Sequence, residues 1–532
     1  MDAATFQLAE AGAILVGGLA ATGALAVRTA RQRRPRPNKD LFGNARFMTE
    51  AEVKRAGLLN ETGGVYLGGW PLRRGWTAYL RDDSSEHVIV FGPTRSGKGA
   101  GNVITTLLSW PDSVIAIDEK RELWELSAGW RAQGAGNRVF RWEPAAREGS
   151  AAFNFLDEVR LGTAYDVADA QNIAQCLIDY QGHGIDALDH WQKTSMGLLS
   201  GCILHTLYRE RAAERRASLA EVASDLSGNT GDTVRLWEAM RDNLHNNGEP
   251  HPFVAGAGRS QIERSDRERA SVLSTLNTYL MLFADPIIRA NTSRSDFALR
   301  DLADHDQPVS VYVVTPGSDK ERLKPLVRLF LTMAMRHLMS AELKFEHGRP
   351  LPAHKHRLLF MLDEMPSLGR MELVEGMLAR GAGYGIKAMV ICQDREQLTA
   401  IYGPSQGIIA NCRTRVIYAP NDVPTAKWVS DLAGQTTALS ERIMVSGQRF
   451  GATRNFTRTI HEVPQPLLLP DQVLTLTKPV RDAAGTITAP GEILIFLGGE
   501  RPIRATQIFY FDHEEFRSRA QIAPPESGAG AP

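Results

Sequence analysis

The sequence predicts an α/β fold, a largely parallel sheet with helices on its faces, interrupted by a helical insertion. Three observations predict it. The apolar run Val88-Ile89-Val90-Phe91 leads directly into Gly92-Pro93-Thr94-Arg95-Ser96-Gly97-Lys98-Gly99, and Ala100 to Trp110 then has helical character. Short apolar runs alternate with helical periodicity on both sides of that loop, the pattern of a parallel sheet. Between Tyr165 and Phe297 the strand signal disappears and only helical periodicity remains, as in Ile173, Cys176, Leu177 and in Met196, Leu199, Ile203, Leu207.

The loop is the first element with chemistry. Strand, G-x-x-x-x-G-K and helix in that order form a phosphate cradle. Glycines let successive backbone N–H groups turn toward an anion, and the helix that follows adds its positive end. Gly92 to Gly99 are therefore the candidate nucleotide-binding residues, with Lys98 supplying a point charge to the outer phosphates. Gly99 stands where a Ser or Thr hydroxyl would normally reach Mg²⁺.

Upstream, Ala11 to Val27 is a 17-residue uncharged run, followed by Arg28, Arg31, Arg33, Arg34, Arg36 and Lys39. Its length is near the minimum for a spanning helix, and the basic flank predicts one crossing with the bulk of the chain cytoplasmic. Only Asp2 and Glu10 precede the run, which argues against a cleaved signal peptide. Pro35-Arg36-Pro37-Asn38 reads as a linker, Leu41 to Leu59 as a short helical adaptor, and Gly63 to Leu80 as small strands.

Beyond the loop, Ser113 to Asp118 reads as a strand ending in an acid, followed by a helix containing Leu123, Trp124 and Leu126. Val139 to Trp142 is the next strand, and Val309 to Val314 resumes the pattern after the insertion. A long helix is expected over Lys324 to Phe345. Leu358 to Leu362 is a run suited to burial on both sheet faces, and it ends in Asp363-Glu364. Strand ends of a parallel sheet open at the ligand crevice, so Asp363 is placed to hold Mg²⁺ and Glu364 to polarise water. Ile386 to Cys392 ends in Gln393, positioned to reach a terminal phosphate or its water. Arg380, Arg413 and Arg415 are candidates for a charge delivered across a subunit interface. Ile493 to Leu497 and Ile508 to Phe511 are expected to close the sheet as a hairpin.

Composition sets outer limits. A chain of 532 residues allows about two to four domains. Lys+Arg and Asp+Glu number 61 each, so the chain is no polycation and any nucleic-acid contact is local. The four cysteines form no C-x-x-C pair, giving neither a disulfide framework nor a zinc site and fitting a reduced compartment.

Together these stretches resemble the type IV coupling proteins of the VirD4/TraG family, the inner-membrane ATPases of conjugation and type IV secretion. The resemblance runs from about residue 40 to 515. It is carried by Gly92 to Gly99, the strand-end acid between Ser113 and Glu122, and Leu362-Asp363-Glu364-Met365-Pro366-Ser367-Leu368-Gly369. Gly383-Tyr384-Gly385 before the strand to Gln393, Asn411-Cys412-Arg413-Thr414-Arg415 and Phe42-Gly43-Asn44-Ala45-Arg46-Phe47 also carry it.

The resemblance implies a RecA-like P-loop NTPase domain with an inserted all-α domain and a short N-terminal membrane anchor. The expected limits are 1–39 for anchor and basic linker, 40–164 and 301–515 for the two parts of the nucleotide-binding domain, 165–300 for the insertion, and 516–532 for a disordered tail. It implies ATP and Mg²⁺ as cofactors, Lys98, Glu364 and Gln393 as catalytic residues and Asp363 at the metal. It also implies a homohexamer at the bacterial inner membrane that passes relaxase-bound single-stranded DNA, with its relaxosome proteins, to a type IV secretion channel. Gly99 departs from the usual loop but is similar to one branch of the family, and many members have two membrane spans where one is read here. Export of protein effectors by the same ATPase, and a nucleotide-gated membrane adaptor that hardly hydrolyses ATP, remain open. A chromosome-segregation DNA pump is disfavoured by the single short anchor and the helical insertion.

Overall fold

In the computed structural model, residues 40–60, 63–72, 77–228, 230–245, 248–446 and 455–526 are described. The expected anchor over Ala11 to Val27 lies outside them. No helix among the described residues is long and apolar enough to cross a membrane.

An 11-stranded sheet forms the body. Its strands are β1 (Val65–Pro71), β2 (Thr77–Asp82), β3 (Val88–Phe91), β4 (Ser113–Asp118), β5 (Arg138–Trp142) and β6 (Val309–Val314). They continue with β7 (Leu358–Leu362), β8 (Ile386–Cys392), β9 (Thr414–Ile417), β10 (Glu492–Leu497) and β11 (Ile503–Thr506). Their spatial order is β2-β1-β11-β10-β9-β3-β8-β7-β4-β6-β5. From β9 to β5 every pairing is parallel, and from β10 to β2 every pairing is antiparallel.

The central strands are fully buried, which explains their unbroken apolar runs. Lys387 is the exception in β8, and its ammonium is satisfied. It donates to Ser84 O at 2.9 Å and Glu86 O at 2.6 Å and lies 3.6 Å from Asp82. A buried cation is tolerated only with such partners.

The insertion leaves the sheet between β5 and β6. Its helices span Asp166–Ile178, His190–Ala212, Leu219–Leu226, Thr230–Asp242, Pro252–Glu263, Asp266–Leu280 and Pro286–Asn291. Their starts follow from local chemistry. Asp189 accepts from Gln192 N while Gln192 accepts from Asp189 N, a reciprocal cap. Ser265 caps its helix through Glu268 N, and Pro252 and Pro286 occupy first-turn positions. The two connections to the sheet are zipped together. Phe153 N donates to Asn291 O, Ala152 N to Asp296 Oδ2, and Asp296 N to Ala152 O. Phe153 stacks on Phe297 at 5.1 Å, and Trp142 packs on Phe330 at 5.0 Å.

Three expectations need correction, and one element was not expected. The helix expected over Lys324 to Phe345 spans Lys320–Leu338, with Phe345 in a two-residue strand. The closing hairpin pairs β10 with β11, not with Ile508 to Phe511. That second apolar run is used for packing instead: a Cβ on Gly97 would lie 2.8 Å from the Phe509 ring, and one on Gly101 would lie 2.7 Å from Ile508 O. The tail expected to be disordered from 516 begins inside a helix, Glu514–Ala520. Phe516 is buried there edge-on against Tyr66, and Arg519 donates to Leu108 O. Finally, a hairpin absent from the sequence reading, Gln435–Ser446 with Asn455–Pro466, forms a separate compact unit with residues 40–46. Ala45 N donates to Gln435 O in that unit.

Arg131 joins the helix Glu122–Gln133 to its surroundings from a fully buried position. Its guanidinium donates to Ser310 Oγ, Leu107 O, Trp110 O, Asp112 O and Asn137 Oδ1. Replacing it by Met strands several buried acceptors at once, so Arg131→Met should cost about 3 kcal/mol of stability. The check is the urea midpoint of the variant, and an unchanged midpoint would contradict this role.

Candidate nucleotide site

The site is built by register. In β3 and β8, Phe91 faces Cys392, and in β8 and β7, Val390 faces Leu362. Gly92 N continues the ladder by donating to Cys392 O at 3.1 Å. The glycine-rich loop, Gln393 and Asp363-Glu364 therefore leave three adjacent strands at the same edge of the sheet. All the central residues predicted from the sequence are brought to this crevice.

The loop has the backbone its residues predict. Gly97 has φ +96° and Arg95 has φ +64°, the second a conformation rarely adopted outside glycine. Gly99 starts a short π-helical turn, Gly99–Val103, continuous with the helix Ile104–Leu107. A Cβ on Gly99 would meet nothing within 4 Å, so a larger residue is not sterically excluded. Lys98 Nζ donates to Gly92 O at 2.8 Å. The Ser96 hydroxyl is buried without a partner.

Opposite the loop, burial pushes the Asp363 carboxyl up to about 6, with Glu364 and Glu119 adding to the rise and Lys98 and Lys120 opposing it. Lys98 and Asp363 thus lie in one electrostatic field. Glu364 has φ +53°, which turns its carboxylate toward β8. There Oε1 accepts from Gln393 Nε2 at 3.1 Å and from Gln397 Nε2 at 3.0 Å. Gln397 also accepts from Gln393 N, and its own N–H is capped by Asp394. Gln397 was not singled out from sequence. Its position, third in a helix capped by Asp394, gave only a capping signal.

Two further acids close the crevice from β4. Burial pushes Asp118 up to about 6, against the N–H groups of Trp124 and Lys120 that it accepts from. Glu119 accepts from Ser367 Oγ and pairs with Lys320. These bonds hold the turn after Glu364 in place. The three candidate arginines lie elsewhere in this chain. Arg413 precedes β9, and Arg380 ends a helix ahead of β8, both at the opposite sheet edge. Arg415 donates to Ile409 O.

With this geometry established, comparison places the chain. Residues 37–525 match the family model described as type IV secretory system conjugative DNA transfer. The chain belongs to this family. It is 41% identical to the conjugal transfer protein TraG of Escherichia coli, across 98% of this chain and 85% of the relative. It is 28% identical to the protein VirD4 of Agrobacterium fabrum, across 90% of this chain and 67% of that one. The solved structure of the plasmid coupling protein TrwB in complex with ADP and Mg²⁺ superposes with a TM-score of 0.61 at 15% identity, covering 93% of this chain and 98% of TrwB. At that identity the likeness is one of fold. The family is one of conjugative DNA transfer through type IV secretion, and the mixed α/β body with its large parallel sheet is the fold it shares with TrwB.

The raised acids generate a stability prediction. A carboxyl whose folded pKa is near 6 favours its protonated form, so its contribution is complete below pH 3.8 and is lost as pH rises through 6. Asp363→Asn removes that loss. The variant should exceed the native protein by about 1–2 kcal/mol at pH 7.5, a two-unit shift discounted for partial solvent access. The advantage should vanish below pH 4. Denaturant titrations at the two pH values measure it, and a pH-independent difference would contradict the assignment.

Proposed function

We propose that this chain is the ATP-hydrolysing motor of conjugative transfer, working at the convergence of Lys98 with Asp363, Glu364 and Gln393. That convergence is the observation that carries the reading. The loop fits a triphosphate: its glycine backbone is open, the Ser96 hydroxyl lacks a partner, and the following helix presents its positive end. Lys98 gives up its bond to Gly92 O and pairs with the outer phosphates. Among the described residues no group of three or more His, Cys, Asp or Glu side chains could hold a metal alone. A Mg²⁺ here would be held by Asp363 and would supply charge neutralisation at the phosphates.

Glu364 is the general base. It accepts a proton from water positioned between its carboxylate and the outer phosphate. Gln393 and Gln397 clamp Oε1 and leave Oε2 to face that water. Gln393 also senses the phosphate, so a change there is transmitted into β8 and the helix Arg395–Tyr402.

The cargo is single-stranded DNA delivered with its relaxosome proteins to a type IV secretion channel. The equal charge totals require contacts to the sugar–phosphate backbone to be concentrated, which a homohexamer achieves by arranging a few basic side chains in a ring. Residues 1–39 hold the chain at the bacterial inner membrane by one crossing, with 40–164 and 301–515 forming the motor and 165–300 the substrate-reading insertion. Gly99 favours a second reading, an adaptor that binds ATP but turns it over slowly, because the metal lacks the usual hydroxyl.

Hydrolysis measurements separate the two. The native protein should hydrolyse ATP faster with single-stranded DNA, Lys98→Ala should bind no ATP, and Glu364→Gln should bind ATP while losing at least about a hundredfold in turnover. Normal turnover in Glu364→Gln would refute the role of Glu364. A native protein that binds ATP without DNA-stimulated hydrolysis would favour the adaptor.

A further inference from the structure

A cavity of about 460 Å³ lies where the first helix of the insertion, Asp166–Ile178, meets the helices Lys320–Leu338 and Glu372–Arg380. That volume is in the range of small-molecule sites. Neither the phosphate loop nor Asp363, Glu364 or Gln393 lines it. We propose that this cavity binds a small phosphomonoester, whose dianionic phosphate sits on the free edge of Arg328 beside Thr332 and Arg336. The inference goes beyond the ATP reading and does not need it.

Among the described residues three Lys or Arg side chains are buried, Arg131, Lys387 and Arg328. Arg131 donates to five acceptors, and Lys387 to two carbonyls beside Asp82. Arg328 is 5% exposed, yet it makes a single hydrogen bond, from Nη1 to Leu368 O at 2.7 Å. Its Nε is buried with no partner, and it forms no ion pair among the described residues. Burial holds its pKa below the usual guanidinium value. A buried cation in that condition is costly until a counter-charge joins it. The edge left open, Nε with Nη2, is one that takes two oxygens of an anion side by side.

The acids that line the cavity do not supply that charge. Asp179 spends its carboxylate on the N–H groups of Gly182, His183 and Gly184, at 3.0, 2.9 and 2.9 Å. The loop so held passes close to the guanidinium: Gly182 has φ +76°, and a Cβ there would lie 2.8 Å from Arg328 Nη2. Asp186 and Glu372 are exposed. Arg328, Thr332 and Arg336 recur every fourth residue and share a helix face. The Thr332 hydroxyl accepts from Cys176 Sγ at 3.7 Å and keeps its own proton to donate. Arg336 is exposed, with no hydrogen bond or ion pair among the described residues. Two cations and a hydroxyl on one face match a dianion with several acceptor oxygens, as a phosphomonoester is. A nucleic-acid backbone suits the site less, since each of its phosphates carries one charge and Arg328 lies below the surface.

Calorimetry on the full chain tests this, with Lys98→Ala present to weaken competition from the phosphate loop. The probes are inorganic phosphate, ribose 5-phosphate, succinate and a single-stranded oligonucleotide. Both phosphates should bind with Kd of about 1 mM or tighter, and succinate at least about tenfold more weakly. Arg328→Met and Arg336→Ala should each weaken both phosphates about tenfold or more, the scale of a lost charge-assisted bond. Arg336 has no partner to lose, so its variant keeps the test sound if Arg328→Met does not fold. With Lys98 restored, Arg336→Ala should bind ATP within about twofold of the native protein. No saturable phosphate binding below roughly 10 mM would overturn the proposal, as would native phosphate affinity in Arg336→Ala or in a folded Arg328→Met. Succinate bound as tightly as phosphate would make this a dicarboxylate site, and equal losses for ATP would place the arginines at the nucleotide. If the variants lost only the oligonucleotide, the arginines would belong to a nucleic-acid path. Each of these results also contradicts the proposal.

Discussion

The parallel register of β3, β8 and β7 is the constraint on which the rest of the molecule depends. β3 and β8 end together, at Phe91 and Cys392, and β7 ends at Leu362 opposite Val390, so that each strand is followed immediately by a residue with a different chemical task. The ladder bond from Gly92 to Cys392 extends this alignment one residue into the loop. Because side chains alternate along a strand, a slip of one residue would reverse every face and carry Gln393 away from Glu364. Burial on both faces of these strands resists such a slip.

That rigid edge supports local conformations that would be costly elsewhere. Arg95 and Glu364 both adopt left-handed backbone, of order 1–3 kcal/mol each. Asp118 and Asp363 are two acids buried within one another's influence, and both are pushed toward neutrality. The structure offsets these costs with dense support behind the crevice. Ser367 binds Glu119, Glu119 binds Lys320, and Arg328 donates to Leu368 O at 2.7 Å. The turn after Glu364 is therefore tied to the helix Lys320–Leu338, which packs on the helix Asp166–Ile178 of the insertion. Bonds and packing thus run without a break from the turn after Glu364 to the all-α region.

Legibility in the sequence followed the nature of the signal. The loop, the strands of the parallel core and the strand-end acids were readable because their chemistry is local: apolar runs, glycines at fixed offsets, acids at the end of a buried strand. Gln393 was readable for the same reason. Gln397 was not, because its role depends on a helix turning back over β8. Ile508 to Phe511 was misread since an apolar run that packs on a loop looks like one that enters a ladder. The hairpin Gln435–Ser446 with Asn455–Pro466 was hidden by mixed polarity, with no clear alternation of apolar and polar residues along it. The helix Glu514–Ala520 has one deeply buried side chain, Phe516, too little for periodicity to register.

The central claim is that one crevice holds the ammonium of Lys98 and the carboxylates of Asp363 and Glu364 around the same triphosphate. A structure of the full chain with Mg²⁺ and a non-hydrolysable ATP analogue tests it most directly. The account predicts the outer phosphate within about 3 Å of Lys98 Nζ and one water away from Glu364. A triphosphate bound in the loop with its outer phosphate directed away from Glu364, or bound elsewhere on the molecule, would contradict it.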